Sequence, residues 1–375
     1  MSRSIEVETL AREIIKPSSP TPHHLRNLKL SLLDQIIPVE YTAVILFYRG
    51  NDDTHHHSHI SQHLKQSLSE TLKIYYPFAG IIKDHILVEC KDNGVEYVEA
   101  QSNCLLFKKK KRRESDILLR PIQKFLRKFL PIEIESPKAG SAPLLLIKFI
   151  FFKCGGVAIG NCLSHKIGDG CTTSTVINNW AATARGSGKT SENIPEYNAA
   201  SIFPPDDFLK PYMDVIGTNY ITKRFVFDAS NIAALRTKVA SASVPKPTRV
   251  EAVTALIWKC TIAASRSIRG FPNLSLTVHS MNLRKMVMQT LPDGVEGDEI
   301  DYYMYSNLSR LQKYETDFGW EKPIWMTIPN YMHNMFMLLG TRDGKGMEAL
   351  VSLSKEDMAL FEHDKELLAF AAANP

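Results

Sequence analysis

The longest apolar run in the chain is LLLIKFIFF (144–152), and it limits the fold more than any other stretch. Nine residues suit a strand, whereas a helix crossing a bilayer needs about 20. The run carries Lys148 and is followed across KCGG by a second one, VAIGNCLSH (157–165). Two strand patterns joined by a short glycine-containing turn predict an antiparallel hairpin. Sheet is therefore built into the middle of the first half, and no stretch predicts a membrane span.

Around this hairpin, strand and helix patterns mix. TAVILFYRG (42–50) reads as a strand, and HISQHLKQSLSETLKIYY (59–76) has helical apolar spacing that ends before Pro77. HILVEC and GVEYVEA (85–90 and 94–100) read as a hairpin about KDNG, and a helix is predicted from Cys171 to Ala184. The stretch 185–211 is rich in Gly, Ser, Asn and Pro and reads as a long connector. Beyond it come a strand and helix over 221–240, with Asp228 or Ser230 as cap, a strong helix over 248–268, and an alternating strand over 274–284. There are no internal repeats. Both halves lack the regular βα alternation of a doubly wound sheet, so the fold class is α/β of the α+β type. At 375 residues the chain is long enough for about two domains. We divide it into 1–184, a crossover loop at 185–214, and 215–375.

Hydrophobic residues make up 44% and charged residues 23%, the balance of a soluble globular protein. The first residues, MSRSIEVETLAREII, lack the apolar core of a secretory signal. Six cysteines lie singly with no CxxC pair, which points to free thiols in a reducing compartment. The expectation is a cytoplasmic protein. KKKKRR (108–113) supplies six positive charges, more than the whole net charge of +5. The rest is near neutral, unlike a nucleic-acid binder with basic residues over one face. The run reads as a solvated loop, and neither nucleic acid nor membrane is expected as a partner.

Three stretches fail as motifs. His55, His59 and His63 recur at helical spacing but lack the glutamate of a zincin, and no metal site is expected. GSGKT (186–190) has Thr183 where a phosphate loop needs its first glycine. No GxSxG nucleophile elbow occurs. SHKIGDG (164–170) is different. His165 closes a predicted strand, and Gly168 and Gly170 permit an irregular turn that aims the imidazole outward. A neutral imidazole can accept a proton near pH 7. A satisfied buried histidine is the commoner outcome of such a pattern, so spacing alone leaves both readings open.

HKIGD (165–169) and DFGWE (317–321) together resemble the HxxxD and DFGWG signatures of the plant BAHD acyltransferases. LSLLDQ (30–35), YYPFAG (75–80), TRVEAVTALIWK (248–259) and NLR (282–284) agree in order, so the likeness covers nearly the whole chain. The resemblance is nearest to the branch of alkaloid acetyltransferases. It implies two chloramphenicol acetyltransferase-like domains about a central channel. Acyl-CoA, acetyl-CoA in the first instance, would be a co-substrate with no permanently bound cofactor. The partner would be a small alcohol or amine acceptor, and the protein a monomer. His165 would be the general base of a ternary complex, with no covalent acyl-enzyme and no nucleophilic role for Cys162 or Cys171. Asp169 would point away from the channel and pair with Arg284. Thr248 would lie near CoA, where a hydroxyl at a helix N-terminus suits an anion. Asp317, Phe318, Gly319 and Trp320 would be structural, near the CoA mouth.

The chain departs from the family pattern at four places. Ile81 replaces an arginine, Leu308 replaces a tryptophan that donates to the oxyanion in some members, and Glu321 replaces the last glycine of DFGWG. The largest departure is length, since Asp317 follows Arg284 by only 33 positions. An internal deletion near 291–305 is expected to leave the second domain short of cover for its sheet edge and apolar surface. The alternative to an active enzyme is thus an impaired member that binds ligand or partner without turnover.

Overall fold

The structure, a computed structural model, describes residues 6–49, 57–104, 106–108, 113–114, 123–187, 195–206, 220–270, 274–282, 300–311, 313–329 and 332–373. Arg284, His55, the core of the basic run and the stretch 283–299 lie outside the described residues. The chain divides into two compact units, 1–215 with 312–329, and 216–311 with 330–375.

The first unit is built on a six-stranded sheet in the order Val7–Ile15, Val95–Ser102, Leu145–Phe152, Val157–Ser164, Tyr41–Tyr48, Trp325–Thr327. Its centre is the hairpin foreseen from the apolar runs, with Leu163 opposite Leu145 and Val157 opposite Phe151. Every residue of Val157–Ser164 is buried, so its near-continuous apolar run, not an alternating one, is what its position demands. Lys148 in the neighbouring strand is buried too, and its Nζ donates to the carbonyls of Lys128 at 2.8 Å and Leu130 at 3.3 Å. Helices His57–Thr71 and Gly170–Ala184 pack on one another. Trp180 of the second helix locks the pair, its Nε1 donating to Leu64 O at 3.1 Å and Ser67 Oγ at 3.0 Å.

Two sequence readings are corrected here. HILVEC and GVEYVEA do not form a hairpin. Leu87–Glu89 pairs with Asn27–Lys29 and Ile81–Lys83 in a small separate sheet, while Val95–Ser102 joins the main one. The turn between them is held from outside: the Asp92 carboxylate accepts from Thr21 N at 3.0 Å and Thr21 Oγ1 at 2.6 Å. DFGWE does not belong with the second half. The strand Trp325–Thr327 just beyond it pairs antiparallel with Tyr41–Tyr48, which carries residues 312–329 into the first unit.

The second unit has its own six-stranded sheet, Leu274–Ser280, Ile300–Asn307, Met335–Gly340, Met347–Ser354, Tyr220–Phe227, Ala372–Ala373. One face packs on the helix Arg249–Arg269, whose buried residues Val253, Leu256, Ile257, Cys260 and Ala264 recur at helical spacing. Phe225, Tyr303, Tyr305, Phe336 and Leu338 meet them from the sheet. Asp228 caps the helix Ala229–Val239, accepting from Asn231 N at 2.7 Å. The terminal strand Leu274–Ser280 is different in character. Leu274, Leu276 and Val278 are 66%, 37% and 39% exposed, and the cross-strand partners of the last two, Tyr302 and Met304, are exposed as well. Alternate residues of parallel neighbours share a face, so these side chains form one apolar strip at the sheet edge. No helix among the described residues is long and apolar enough to cross a membrane.

Candidate active site

His165 follows directly on the central strand Val157–Ser164. Backbone bonds fix the exit: Ser164 N donates to Leu144 O at 2.8 Å, His165 N to Glu40 O at 2.9 Å, and Ile167 N to Ser164 O at 3.1 Å. The glycines act differently from the sequence reading. Neither Gly168 nor Gly170 has positive φ. Gly168 is needed for close approach, because a Cβ there would lie 2.8 Å from both Leu163 Cδ2 and Thr172 Cγ2.

The imidazole itself is half-buried. Its Nδ1 is sealed from solvent and makes no hydrogen bond, to Asp169 or to any other group. Burial pushes the His165 pKa below its ordinary value. The backbone of His165, the Asp169 carboxylate and the backbone of Gly168 oppose that shift more weakly, and Lys166 adds to it. The ring is therefore neutral at neutral pH, with one nitrogen able to accept a proton.

Asp169 caps the helix that follows. Its Oδ1 accepts from Thr172 N at 2.8 Å and Thr172 Oγ1 at 2.9 Å, and its backbone carbonyl accepts from Thr173 Oγ1 at 3.0 Å. A carboxylate at a helix N-terminus also meets the positive end of the helix dipole. The sequence-predicted pairing of Asp169 with Arg284 lies outside the described residues. Cys162 is wholly buried and burial raises its thiol pKa strongly, which removes it as a thiolate nucleophile.

DFGWE docks at the other end of the same helix. Phe318 is buried edge-on to Trp180 at 4.8 Å and Tyr48 at 6.1 Å, and Trp320 stacks on Phe318 at 5.5 Å. Arg185, just past the helix, donates through Nη1 to the Asp317 carbonyl, and Asp317 Oδ1 accepts from Gly319 N at 2.8 Å. Thr316 Oγ1 donates to Asn178 Oδ1 at 2.6 Å. Gly319 has φ 104°, and Glu321 two residues on has φ 93°. The glycine that the pattern wants at 321 thus answers to a left-handed backbone, which the glutamate adopts under strain.

Thr248 lies apart from His165 in sequence and in unit. It is the N-cap of Arg249–Arg269, its Oγ1 accepting from Glu251 N at 3.2 Å while Glu251 Oε2 accepts from Thr248 N at 2.7 Å. This reciprocal capping box uses the hydroxyl lone pair and the first amide on the helix itself, with a carboxylate alongside. Among the described residues no group of three or more His, Cys, Asp or Glu side chains is placed to hold a metal.

Sequence reading passed over Lys166, inside the quoted motif. It is 1% exposed, and its Nζ donates to Gln35 O at 2.7 Å and Asp34 O at 3.3 Å. LSLLDQ and HKIGD, noted separately in sequence, touch through this side chain.

Comparison with known proteins places the chain and its fold in a family. The sequence model of the Transferase family matches residues 5–300 and 295–368, two stretches that overlap at 295–300. A limonoid 21-O-acetyltransferase of Melia azedarach is 33% identical, with 97% of each chain covered. Vinorine synthase, a solved structure, is 31% identical with a TM-score of 0.84, over 97% of this chain and 98% of that one. The TRI101 structure of F. sporotrichioides, complexed with coenzyme A and T-2, shares the fold at 17% identity and a TM-score of 0.68, over 93% of this chain and 100% of that one. The chain belongs to the Transferase family of BAHD acyltransferases, enzymes that transfer acyl groups other than aminoacyl groups.

Proposed function

We propose that this chain transfers an acyl group, acetyl in the first instance, from acyl-CoA to a hydroxyl of an alkaloid or related plant specialised metabolite. The observation that carries the reading is His165: a neutral imidazole, kept so by burial, held rigidly at the end of the central strand. The base removes the acceptor's hydroxyl proton as that oxygen attacks the thioester carbonyl. The tetrahedral oxyanion then collapses, the C–S bond breaks, and the CoA thiolate leaves and takes up the proton from the imidazolium. A thiol of pKa about 8.5 is a good leaving group, so orientation and one base suffice, without an acyl-enzyme. Coenzyme A in the TRI101 complex and the O-acetyl chemistry named for the Melia relative support the two substrates. The free cysteines, four of the six buried, support a reducing compartment such as the cytoplasm.

The second unit carries a second reading. The family match comes in two stretches meeting at 295–300, and the apolar strip at Leu274–Ser280 is uncovered. Both support an internal shortening near 291–305 and a member that binds substrates with impaired turnover. One experiment decides between them. Purified protein is incubated with acetyl-CoA and a panel of alkaloid and terpenoid alcohols, and free CoA thiol is followed together with acetylated product. Acceptor-dependent thiol release that disappears in His165→Ala supports transfer. Binding of acetyl-CoA without thiol release supports the impaired member.

A further inference from the structure

We propose that Lys166 is a positioning residue for His165, seating the histidine turn on the LSLLDQ helix. The inference rests on the reading of His165 as the base. Lys166 is a full-length cation with 1% of its surface exposed, and a buried ammonium is stable only where acceptors surround it. Its acceptors are the carbonyls of Asp34 and Gln35, near the end of the short helix Leu32–Ile36, where unpaired carbonyls and the negative dipole end favour a cation. Burial pushes the Lys166 pKa below its ordinary value, and the Asp34 carboxylate opposes that shift in part.

That helix is itself immobilised. Ser31 and Asp34 form a capping box, Asp34 Oδ2 accepting from Ser31 N at 2.8 Å. Leu32 N donates to Phe203 O at 3.0 Å. The buried Gln35 amide clamps Asp206, with Oε1 accepting from Asp206 N at 2.8 Å and Nε2 donating to Asp206 O at 3.1 Å. Lys166 therefore ties the residue next to the base to a fixed platform. The backbone of His165 is held on its other side by Glu40 O. The charge has a second effect. Lys166 repels a proton on His165, while Asp169 attracts one, and among the described residues these are the two charged side chains that act on the imidazole.

Lys166→Met keeps an unbranched side chain one atom shorter and removes the charge. With acetyl-CoA and an accepted alcohol, kcat is expected to fall on the order of 10-fold to 100-fold, as loss of orientation by about 1 Å does. KM for acetyl-CoA should change less than about twofold. The acid limb of the pH–rate profile should move to higher pH, because the repulsion is gone and Asp169 acts unopposed; a purely structural lysine leaves that limb in place. His165→Ala is measured beside it. Parental turnover in His165→Ala overturns the base reading, whereas an inactive His165→Ala with parental kcat and acid limb in Lys166→Met overturns the positioning role alone. If Lys166→Met fails to melt cooperatively, Ser31→Ala decides, since it loosens the platform and leaves the lysine. A reduced kcat at an unmoved acid limb supports the proposal, and parental kcat overturns it.

Discussion

Glu321 sits at φ 93° with its side chain exposed to solvent, and among the described residues no side-chain hydrogen bond or ion pair compensates for that backbone. An L-residue held in left-handed territory costs about 1–2 kcal/mol relative to glycine. Replacing Glu321 by glycine removes the strain but frees the unfolded chain by about 0.4–1 kcal/mol. The balance is a gain of about 1 kcal/mol, or roughly 2 °C in a chain of this size. Gly319→Ala is the mirror experiment. Its φ is 104°, and the new Cβ would meet only Arg185 Cγ at an ordinary 3.7 Å, so backbone strain alone makes it destabilising by about 1 kcal/mol. Two units need not melt together, so the transition should be followed by tryptophan fluorescence, with Trp180 and Trp320 both packed on Phe318. A Glu321→Gly protein that melts at or below the parental temperature, beside an unperturbed Gly319→Ala, refutes the strain argument.

His165→Ala should lower kcat by about 10²–10⁴-fold without loss of fold, checked by thiol release and circular dichroism. Since its folded pKa lies below the ordinary value, the unfolded chain takes the proton first as pH falls. The stability contribution of this group is thus full above about pH 6.5 and is lost as pH drops through the lowered folded pKa, and the acid limb of activity should lie below pH 6.5 as well. Thr248→Ala should lose about 1 kcal/mol of stability through the capping box while KM for acetyl-CoA stays within twofold; a large rise in KM would instead support the CoA-binding role read from sequence. Leu276→Lys with Val278→Thr should reduce aggregation in light scattering and leave the melting temperature within about 1 °C, whereas a large drop would mean that the strip is packed in the native state.

The sequence made the central hairpin legible because burial on both faces writes an uninterrupted apolar run, which few other structures produce at that length. The helices at 170–184 and 249–269 were legible as 171–184 and 248–268, while the capping box at Thr248 and Glu251 and the left-handed Gly270 that bound the second came only with the structure. The false hairpin about KDNG had the right strands and the wrong partners. Local turn chemistry at Asp92 and Gly94 is the same whether strands pair across it or diverge, and the deciding bonds come from Thr21, some 70 residues away. Lys166 was hidden for a related reason. A lysine in a polar turn reads as solvated, and only the fold brings the Asp34 and Gln35 carbonyls to it.

The placement of DFGWE follows from one helix. Gly170–Ala184 is 15 residues, about 22 Å, with Asp169 and the His165 turn at its start and Trp180, Ala184 and Arg185 at its end. HKIGD and DFGWE stand far apart in sequence, yet both are fastened to that rod, one by a cap and the other by an aromatic stack and the Arg185 bond. Anything that tilts the helix must therefore disturb both motifs together. Residues named here as holding His165, namely Glu40, Leu144, Asp34, Gln35 and Thr172, all belong to the unit formed by 1–215 and 312–329. The overlap of the two family-matched stretches at 295–300 falls in the other unit. If the proposed shortening is real, it falls outside the unit that holds the base, so its effect on stability has to be measured separately from kcat.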